Sequence, residues 1–196
     1  MNVLAPSPRQ ADHAIDPLFL NRHSPRSFTD ATLTEAELLE LLEAARWAPS
    51  ASNNQPWRFA WGLRGDAGFA KIADTLVPFN RAWAEKASAL VVIASKSTVE
   101  KEGQSNPNPW HAFDAGAAWM SLALQANLKG LFVHAMGGFD QTKAADLLGA
   151  PQGYVLHAVV AIGSRGPAEN LPEALRAREG HTPRLPLAEL AKHGSF

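Results

Sequence analysis

The sequence predicts a mixed α+β fold in which one sheet is covered by helices, and three observations lead to this prediction. Helix signals and strand signals alternate along the chain, which neither an all-helical nor an all-β protein would show. The apolar run from Leu90 to Ala94 is typical of a buried central strand. The length of 196 residues is sufficient for one domain with a substantial core and needs no metal or disulfide.

Two helix starts organise the first quarter of the chain, after residues 1–15, which we expect to form a flexible arm. Asp16 can cap a short helix whose first residue is Pro17. Thr34 and Glu37 have the spacing of a capping box, in which each side chain accepts a hydrogen bond from the other residue's backbone N–H. The capped helix then presents one apolar face, formed by Leu38, Leu41, Leu42 and Ala45.

The most distinctive later element is a long helix from about residue 110 to Lys129, ended by Gly130. Because it is apolar all round, this helix should be central or lie at a subunit interface. The other predicted elements are, in order, a loop at 50–56, a strand at 57–61, helices near 69–76 and 81–86, a strand at 90–94, a loop at 96–109, a strand from 131, a helix at 141–148, a strand at 154–162, and an extended C-terminal arm with one helical stretch near 171–178.

Composition and charge argue against several classes of function. The formal net charge is −1, whereas a general nucleic-acid binder is usually strongly basic. The chain has no cysteine, which excludes disulfide scaffolds, thiolate metal sites and cysteine nucleophiles. Its seven histidines include no H-E-x-x-H pair, so we predict no metal site, and we expect His134 and His157 to be hydrogen-bonded core residues. Neither a membrane span nor a signal peptide is predicted, and the expected location is the cytoplasm.

Three segments are richer in functional groups than their structural roles require. Residues 22–26 combine two arginines, a histidine and a serine, which can hold a phosphate. Residues 49–57 carry amide and hydroxyl groups that can bind the edge of a pyrimidine. Residues 136–140 include paired glycines, through which the backbone can approach a flat ligand. Each segment also has an ordinary interpretation: a solvated basic turn, a helix-to-strand connection, and a strand-to-helix turn.

In this order the segments resemble the signatures of the FMN-dependent nitroreductase family. The first signature is Arg22-His23-Ser24-Pro25-Arg26, a capped helix ending at Pro49-Ser50, and Asn53-Asn54-Gln55-Pro56-Trp57. Gly138-Phe139-Asp140 and Arg184-Leu185-Pro186-Leu187 are similar to later landmarks, so the resemblance extends from about residue 16 to 190. It implies one domain over residues 16–196, with a mixed sheet flanked by helices, and a homodimer with two FMN sites at its interface.

The resemblance also implies which residues contact the cofactor. Those expected at the FMN phosphate and ribityl chain are Arg22, His23, Ser24, Arg26 and Arg184. Those expected in the loop that the second subunit lends to the flavin are Pro49, Ser50, Ala51, Asn53 and Gln55. Those expected around the flavin ring are Asn80, Met136, Gly137 and Gly138, with the Gly137 backbone N–H directed at flavin N5. Trp110 and His111 are expected in the substrate pocket.

The implied activity is ping-pong hydride transfer. NADPH or NADH would reduce the flavin at N5, and a nitroaromatic, quinone or enal would then enter the same pocket, with no side chain acting as nucleophile. Three alternatives stay open: reductive dehalogenation or flavin destruction on the same fold, a flavin-binding protein without turnover, and a structural protein that has lost the cofactor. Trp83 and Thr182 depart from the family, which often has cations there, so weaker phosphate binding and a lower flavin potential are expected.

Overall fold

A four-stranded antiparallel sheet forms the centre of the protein in the computed structural model, which describes residues 8–196. The strands of the described chain are β1 (Trp57–Leu63), β2 (Ala89–Lys96), β3 (Thr98–Lys101), β4 (Gln104–Pro107), β5 (Phe132–Met136) and β6 (Tyr154–Gly163). The central sheet has the order β1-β2-β6-β5, and β3 and β4 form a separate hairpin. The predicted α+β class is confirmed, although all described pairings are antiparallel rather than of mixed direction.

Helices cover both faces of this sheet. They are α1 (Pro17–Asn21), α2 (Glu35–Arg46), α3 (Ala67–Ala73), α4 (Pro78–Ala84), α5 (His111–Leu128), α6 (Gln141–Leu148), α7 (Glu173–Arg176) and α8 (Leu187–Leu190). The predicted capping box of α2 is confirmed: the Thr34 hydroxyl accepts from Glu37 N at 3.2 Å, and the Glu37 carboxylate accepts from Thr34 N at 2.9 Å. This exchange satisfies two backbone donors that a helix start leaves without partners.

Alternation along the strands divides the core into two apolar layers. In β2, Leu90 and Val92 pack on the side of α3, α4 and α6, whereas Val91 and Ile93 pack on the side of α2 and α5. Successive residues of a strand face opposite sides of the sheet, and both sides of this central strand are buried. Every residue of the run is therefore apolar. The inner face of α5 closes the second layer with small residues and one leucine, namely Ala115, Ala118, Leu122 and Ala126.

Two predicted regions differ from the structure. The polar loop predicted at 96–109 contains the hairpin β3–β4, whose turn places Glu102 and Gly103 in the left-handed region with φ of 53° and 75°. Its strands carry few apolar residues, so they lack the alternation by which a half-buried strand is recognised. In the C-terminal arm the predicted helical stretch shortens to α7, and α8 was not predicted. These helices are only four residues long, below the length that sequence periodicity can reveal.

The segment before α1 lies against the C-terminal arm. Residues 8–15 of the predicted N-terminal arm form neither helix nor strand, and residues 1–7 lie outside the described residues. The Asp12 carboxylate accepts a hydrogen bond from Leu187 N at 2.8 Å, at the start of α8. No helix within residues 8–196 has the length and hydropathy needed to cross a bilayer.

Candidate active site

A cleft of about 470 Å³ lies between α1, α5, edge strand β5 and the C-terminal arm. Its lining residues are Phe19, Arg22, Ser24, Trp119, Met120, Ala123, His134, Ala135 and Arg184. Three of the predicted phosphate-binding residues, Arg22, Ser24 and Arg184, therefore meet in one place. The Arg22 guanidinium lies 3.4 Å from the Ser24 hydroxyl, to which it can donate.

The segment that carries Arg22 is held by a buried carboxylate from the C-terminal arm. Glu179 is only 3% exposed and accepts hydrogen bonds from the backbone N–H groups of Arg26 and Ser27, each at 2.9 Å. The Arg26 guanidinium donates to the Arg178 carbonyl at 3.1 Å, and Arg26 does not line the cleft. Burial, followed by repulsion from Arg178, lowers the pKa of Arg26. Arg26 therefore connects two segments, and its predicted contact with the phosphate stays a prediction.

The cleft carries positive charge that no carboxylate within residues 8–196 neutralises. Neither Arg22 nor Arg184 forms a salt bridge with an acidic side chain in this part of the protein. Burial, followed by repulsion from Arg184, lowers the pKa of Arg22. Two guanidinium groups that repel each other in a partly buried site are stabilised by an anion, and guanidinium geometry suits phosphate oxygens.

Two histidines border this charge, His23 buried and His134 half-buried, and both are held neutral. His23 is 5% exposed and packs edge-on against Phe132, with ring centroids 5.1 Å apart. Burial, followed by repulsion from His181, lowers the pKa of His23 to about 4. Its Nε2 atom is buried without a hydrogen-bond partner in the described residues. His134, predicted as an ordinary core residue, lines the cleft; it is hydrogen-bonded to the Pro25 carbonyl at 3.1 Å, and burial lowers its pKa to about 4.

Acidification is expected to destabilise the protein because His23 and His134 are buried in the neutral form. Their pKa values are about 4 in the folded protein, against an ordinary value near 6.5, so the unfolded chain binds more protons between these values. Stability is therefore complete above about pH 6.5 and falls as the pH is lowered towards 4. At pH 5 each histidine should reduce the free energy of unfolding by about 2 kcal/mol. Urea unfolding of the apoprotein at pH 7.5 and 5.0, followed by circular dichroism, measures this difference.

His134→Leu provides the matched test, because it removes one of the two buried groups and should remove a corresponding part of the pH dependence. His193→Asn, at an exposed position, serves as the control and should retain the dependence. Equal unfolding free energies of the original protein at both pH values would contradict the buried neutral state of these histidines.

Of the two glycines after β5, Gly137 has open backbone and Gly138 is closely packed. A Cβ added to Gly137 would meet no atom within 4 Å, so a flat ligand can approach there. A Cβ on Gly138 would lie 2.6 Å from the Asn80 amide nitrogen, which itself donates to the Gly138 carbonyl at 3.0 Å. Asn80 thus contacts Gly138, and the role of both residues at the flavin ring stays a prediction. The Met136 side chain is buried in the core, so only its backbone is available to a ligand.

The polar loop at 49–55 lies apart from the cleft. Ala51 N–H donates to both carboxylate oxygens of Asp114, each at 3.3 Å, and Asp114 is 3% exposed in the first turn of α5. The cleft contacts α5 from Trp119 to Ala123, which lie about 8 to 14 Å further along the helix axis. Pro49, Asn53 and Gln55 are exposed, and none of the loop residues lines the cleft of the same chain.

The loop has an unusual backbone for residues with side chains. Ser52, Asn53 and Gln55 have φ values of 50°, 54° and 46°, which place them in the left-handed region. Gln55 N–H donates to the Ser50 hydroxyl at 3.0 Å and helps to hold this shape. Non-glycine residues in that region carry a cost of about 1 kcal/mol or more each, and they tend to cluster at ligand sites.

The remaining predicted positions lie outside the cleft lining. Trp110 is 57% exposed, and His111 Nδ1 lies 2.8 Å from the Ser95 hydroxyl, which also lies 2.6 Å from His157 Nε2. Trp83, which stands where the family often has a cation, is 2% exposed in the core and packs against His134, with ring centroids 4.7 Å apart and ring planes tilted by 46°. Its indole therefore contributes to the core rather than to a ligand surface.

Several residues of the site carried no recognisable sequence signal. Trp119, Met120 and Ala123 belong to an apolar helix without further distinction, and their position in the cleft depends on how α5 packs on β5. Asp114 had one usable signal, a lone acidic residue in the first turn of an otherwise apolar helix. Glu179 had none, since its partners lie more than 150 positions away along the chain.

The antiparallel sheet, its helical layers and the cationic cleft define an α+β domain that is suited to an anionic ligand. The sequence model of the Nitroreductase family matches residues 20–164, which is most of the chain. The chain therefore belongs to the nitroreductase family of oxidoreductases.

Individual relatives agree with this membership. An oxidoreductase whose crystal structure contains FMN is 42% identical, with a TM-score of 0.94 and 96% of each chain covered. An NADH dehydrogenase of Thermus thermophilus is 29% identical over 173 residues, covering 74% of this chain and 83% of that protein. An oxygen-insensitive NADPH nitroreductase of Helicobacter acinonychis is 39% identical over 84 residues, covering 42% of this chain and 39% of that protein.

Proposed function

We propose that the chain is a homodimeric, FMN-dependent NAD(P)H oxidoreductase that reduces small-molecule acceptors such as nitroaromatics, quinones or enals. The observation that carries the proposal is the meeting of Arg22, Ser24 and Arg184 in a cleft where their charge has no acidic partner among the described residues. The FMN in the similar oxidoreductase supports the choice of anion. The cytoplasmic location expected from the sequence stays a prediction.

The residues present fit FMN on observations of this chain alone. The guanidinium groups of Arg22 and Arg184 suit a phosphate, and the open backbone at Gly137 suits a planar ring. His23, whose buried Nε2 has no hydrogen-bond partner among the described residues, directly follows Arg22 in the chain. We assign Arg22, Ser24 and Arg184 to the phosphate end, and Asn80, Gly137 and Gly138 to the ring end. When bound, FMN would accept hydride from NADPH or NADH and pass it to the oxidant.

The protein's own contribution is binding and orientation. The backbone of Gly137 is assigned to hydrogen-bonding at the reactive edge of the ring, and the Asn80 amide to orienting it. No side chain is assigned as a nucleophile. Trp110 and His111 remain predicted substrate-pocket residues, and the bond between His111 and the Ser95 hydroxyl holds the imidazole at the start of α5.

A second subunit would complete the site. Besides its buried inner face, α5 has an outer apolar face on which Phe113 is 77% exposed and Leu128 is 68% exposed. Between them Gly116 is exposed, and a Cβ there would meet nothing within 4 Å, so another backbone can approach closely. The exposed loop at 49–55 lies beside the start of this face. Pairing through α5 would bury the apolar surface and present the loop to the partner's cleft.

The visible absorption spectrum of the purified protein, before and after anaerobic addition of NADPH or NADH, tests the proposed function. We expect flavin bands that bleach with at least one donor and return when a quinone is added. Flavin that stays oxidised with both donors would favour the binding protein without turnover. A protein that takes up no FMN would contradict the proposal altogether.

Flavin destruction and reductive dehalogenation can be tested with the same purified protein. Steady NAD(P)H turnover with intact flavin after many cycles argues against flavin destruction. Release of halide from a halogenated aromatic, measured against nitroaromatic turnover, would favour dehalogenation instead.

A further inference from the structure

Arg9, in the segment before α1, contacts both the C-terminal arm and the segment that carries Arg22. Its Nε donates to the Thr182 carbonyl at 2.9 Å, across 173 positions of sequence. Its Nη1 donates to the Leu20 carbonyl at 3.2 Å and to the Arg22 carbonyl at 2.6 Å. The guanidinium is thereby fixed between the segment that carries Arg22 and the arm that carries Arg184.

These contacts position the charge of Arg9 beside the carbonyls of Leu20, Arg22 and Thr182. Burial, followed by repulsion from Arg184 and Arg22, lowers the pKa of Arg9. Its positive charge also acts on His23 and His181, whose pKa values it lowers in addition to the effect of burial. Arg9, Arg22 and Arg184 thus form one group of mutually repelling cations, which we call the guanidinium cluster.

Charge of one sign gathered at one place favours a ligand of the opposite sign. Arg184 lines both the cleft with Arg22 and a second cleft of about 770 Å³ that Arg9 lines, so the two clefts adjoin at this residue. A phosphate dianion that enters beside Arg22 and Arg184 therefore feels the field of Arg9 as well. Thr182, where the sequence lacks an expected cation, is the residue whose carbonyl holds Arg9.

We propose that Arg9 is a third cationic determinant of phosphate binding, and that its charge compensates for the uncharged Thr182. The inference rests on the proposed function and adds to it a residue outside the motifs that carry the family resemblance. The ligand chemistry is a phosphate monoester dianion, the group that distinguishes FMN from riboflavin.

Binding of FMN and of riboflavin to the apoprotein, measured by flavin fluorescence and calorimetry, tests the proposal. Arg9→Gln should weaken FMN binding about ten-fold and riboflavin binding less than about two-fold, since only FMN carries the phosphate charge. The preference for FMN should also respond less to added salt than in the original protein, because one cation fewer faces the dianion. Unchanged discrimination between the two flavins in Arg9→Gln would overturn the assignment.

Two further variants separate charge from structural support. Arg9→Lys keeps the charge but lacks the planar fork of Nε and Nη donors, and it should retain most of the FMN preference; a loss equal to that of Arg9→Gln would overturn the electrostatic role. Arg64→Gln is the matched control, because Arg64 also donates to backbone carbonyls, including Asp30 at 2.6 Å and Lys86 at 2.8 Å. Arg64→Gln changes the net charge by the same amount as Arg9→Gln and should leave the preference for FMN over riboflavin unchanged. A loss of this preference equal to that in Arg9→Gln would show a general effect of net charge and overturn the proposal.

The original protein and Arg22→Ala distinguish the two levels of inference. If the original apoprotein binds neither flavin, the proposed function fails. If it prefers FMN and Arg22→Ala loses that preference while Arg9→Gln keeps it, the function stands and only the role of Arg9 is overturned.

Discussion

Arg22→Ala is expected to weaken FMN binding by about 100-fold, because a charge-assisted hydrogen bond to an anion is worth about 1.5–3 kcal/mol. The residue is partly buried in the cleft, and repulsion from Arg184 contributes to its lowered pKa. Riboflavin affinity should change only a few-fold. Fluorescence titration of the apoprotein and the flavin content after purification measure both effects.

A general loss of stability must be separated from loss of the phosphate contact. Arg64→Ala removes another partly buried guanidinium that supports the scaffold through carbonyl contacts, and it should leave FMN binding unchanged. Arg22→Lys should give intermediate affinity, since it keeps a charge but loses the two-pronged geometry. Full flavin occupancy in purified Arg22→Ala would contradict the assignment of Arg22 to the phosphate.

Phe113→Glu is expected to convert the proposed dimer to a monomer and to weaken FMN binding at least about ten-fold. Phe113 is 77% exposed on the outer face of α5, so the substitution should not disturb the core of a single chain. In a dimer the same carboxylate would be buried in an apolar interface, which costs several kcal/mol when no partner charge is present. Sedimentation velocity reports the assembly, and flavin titration reports the site.

Assembly and FMN affinity, measured together, test whether the site is shared between subunits. Val155→Glu introduces the same charge at a 41%-exposed apolar position on β6 and is the matched control, with assembly and FMN affinity expected to be unchanged. A monomeric Phe113→Glu protein with full FMN affinity would contradict the contribution of the 49–55 loop. A fully dimeric one would contradict pairing through α5.

Much of the fold follows from local patterns in the sequence. The capping box of α2, the buried run of β2 and the extent of α5 depend on residues a few positions apart, so their spacing alone predicts them. The hairpin β3–β4 and the helix α8 escaped prediction because short polar strands and single helical turns leave no period to detect. Family resemblance supplied the roles proposed for Arg22 and Gly137, which composition and spacing alone left open.

The sequence by itself thus determined the order of the main elements, the apolar character of α5 and the residue types available to the proposed phosphate and flavin site. Only the tertiary structure decided which of these residues meet. It joins Arg9 to Arg22 and Arg184, turns His134 towards the cleft, buries Trp83 in the core and keeps the 49–55 loop away from the cleft of its own chain. The physical reason is that these outcomes depend on contacts between distant segments, such as Arg9 with Thr182 across 173 positions, and no local spacing encodes them.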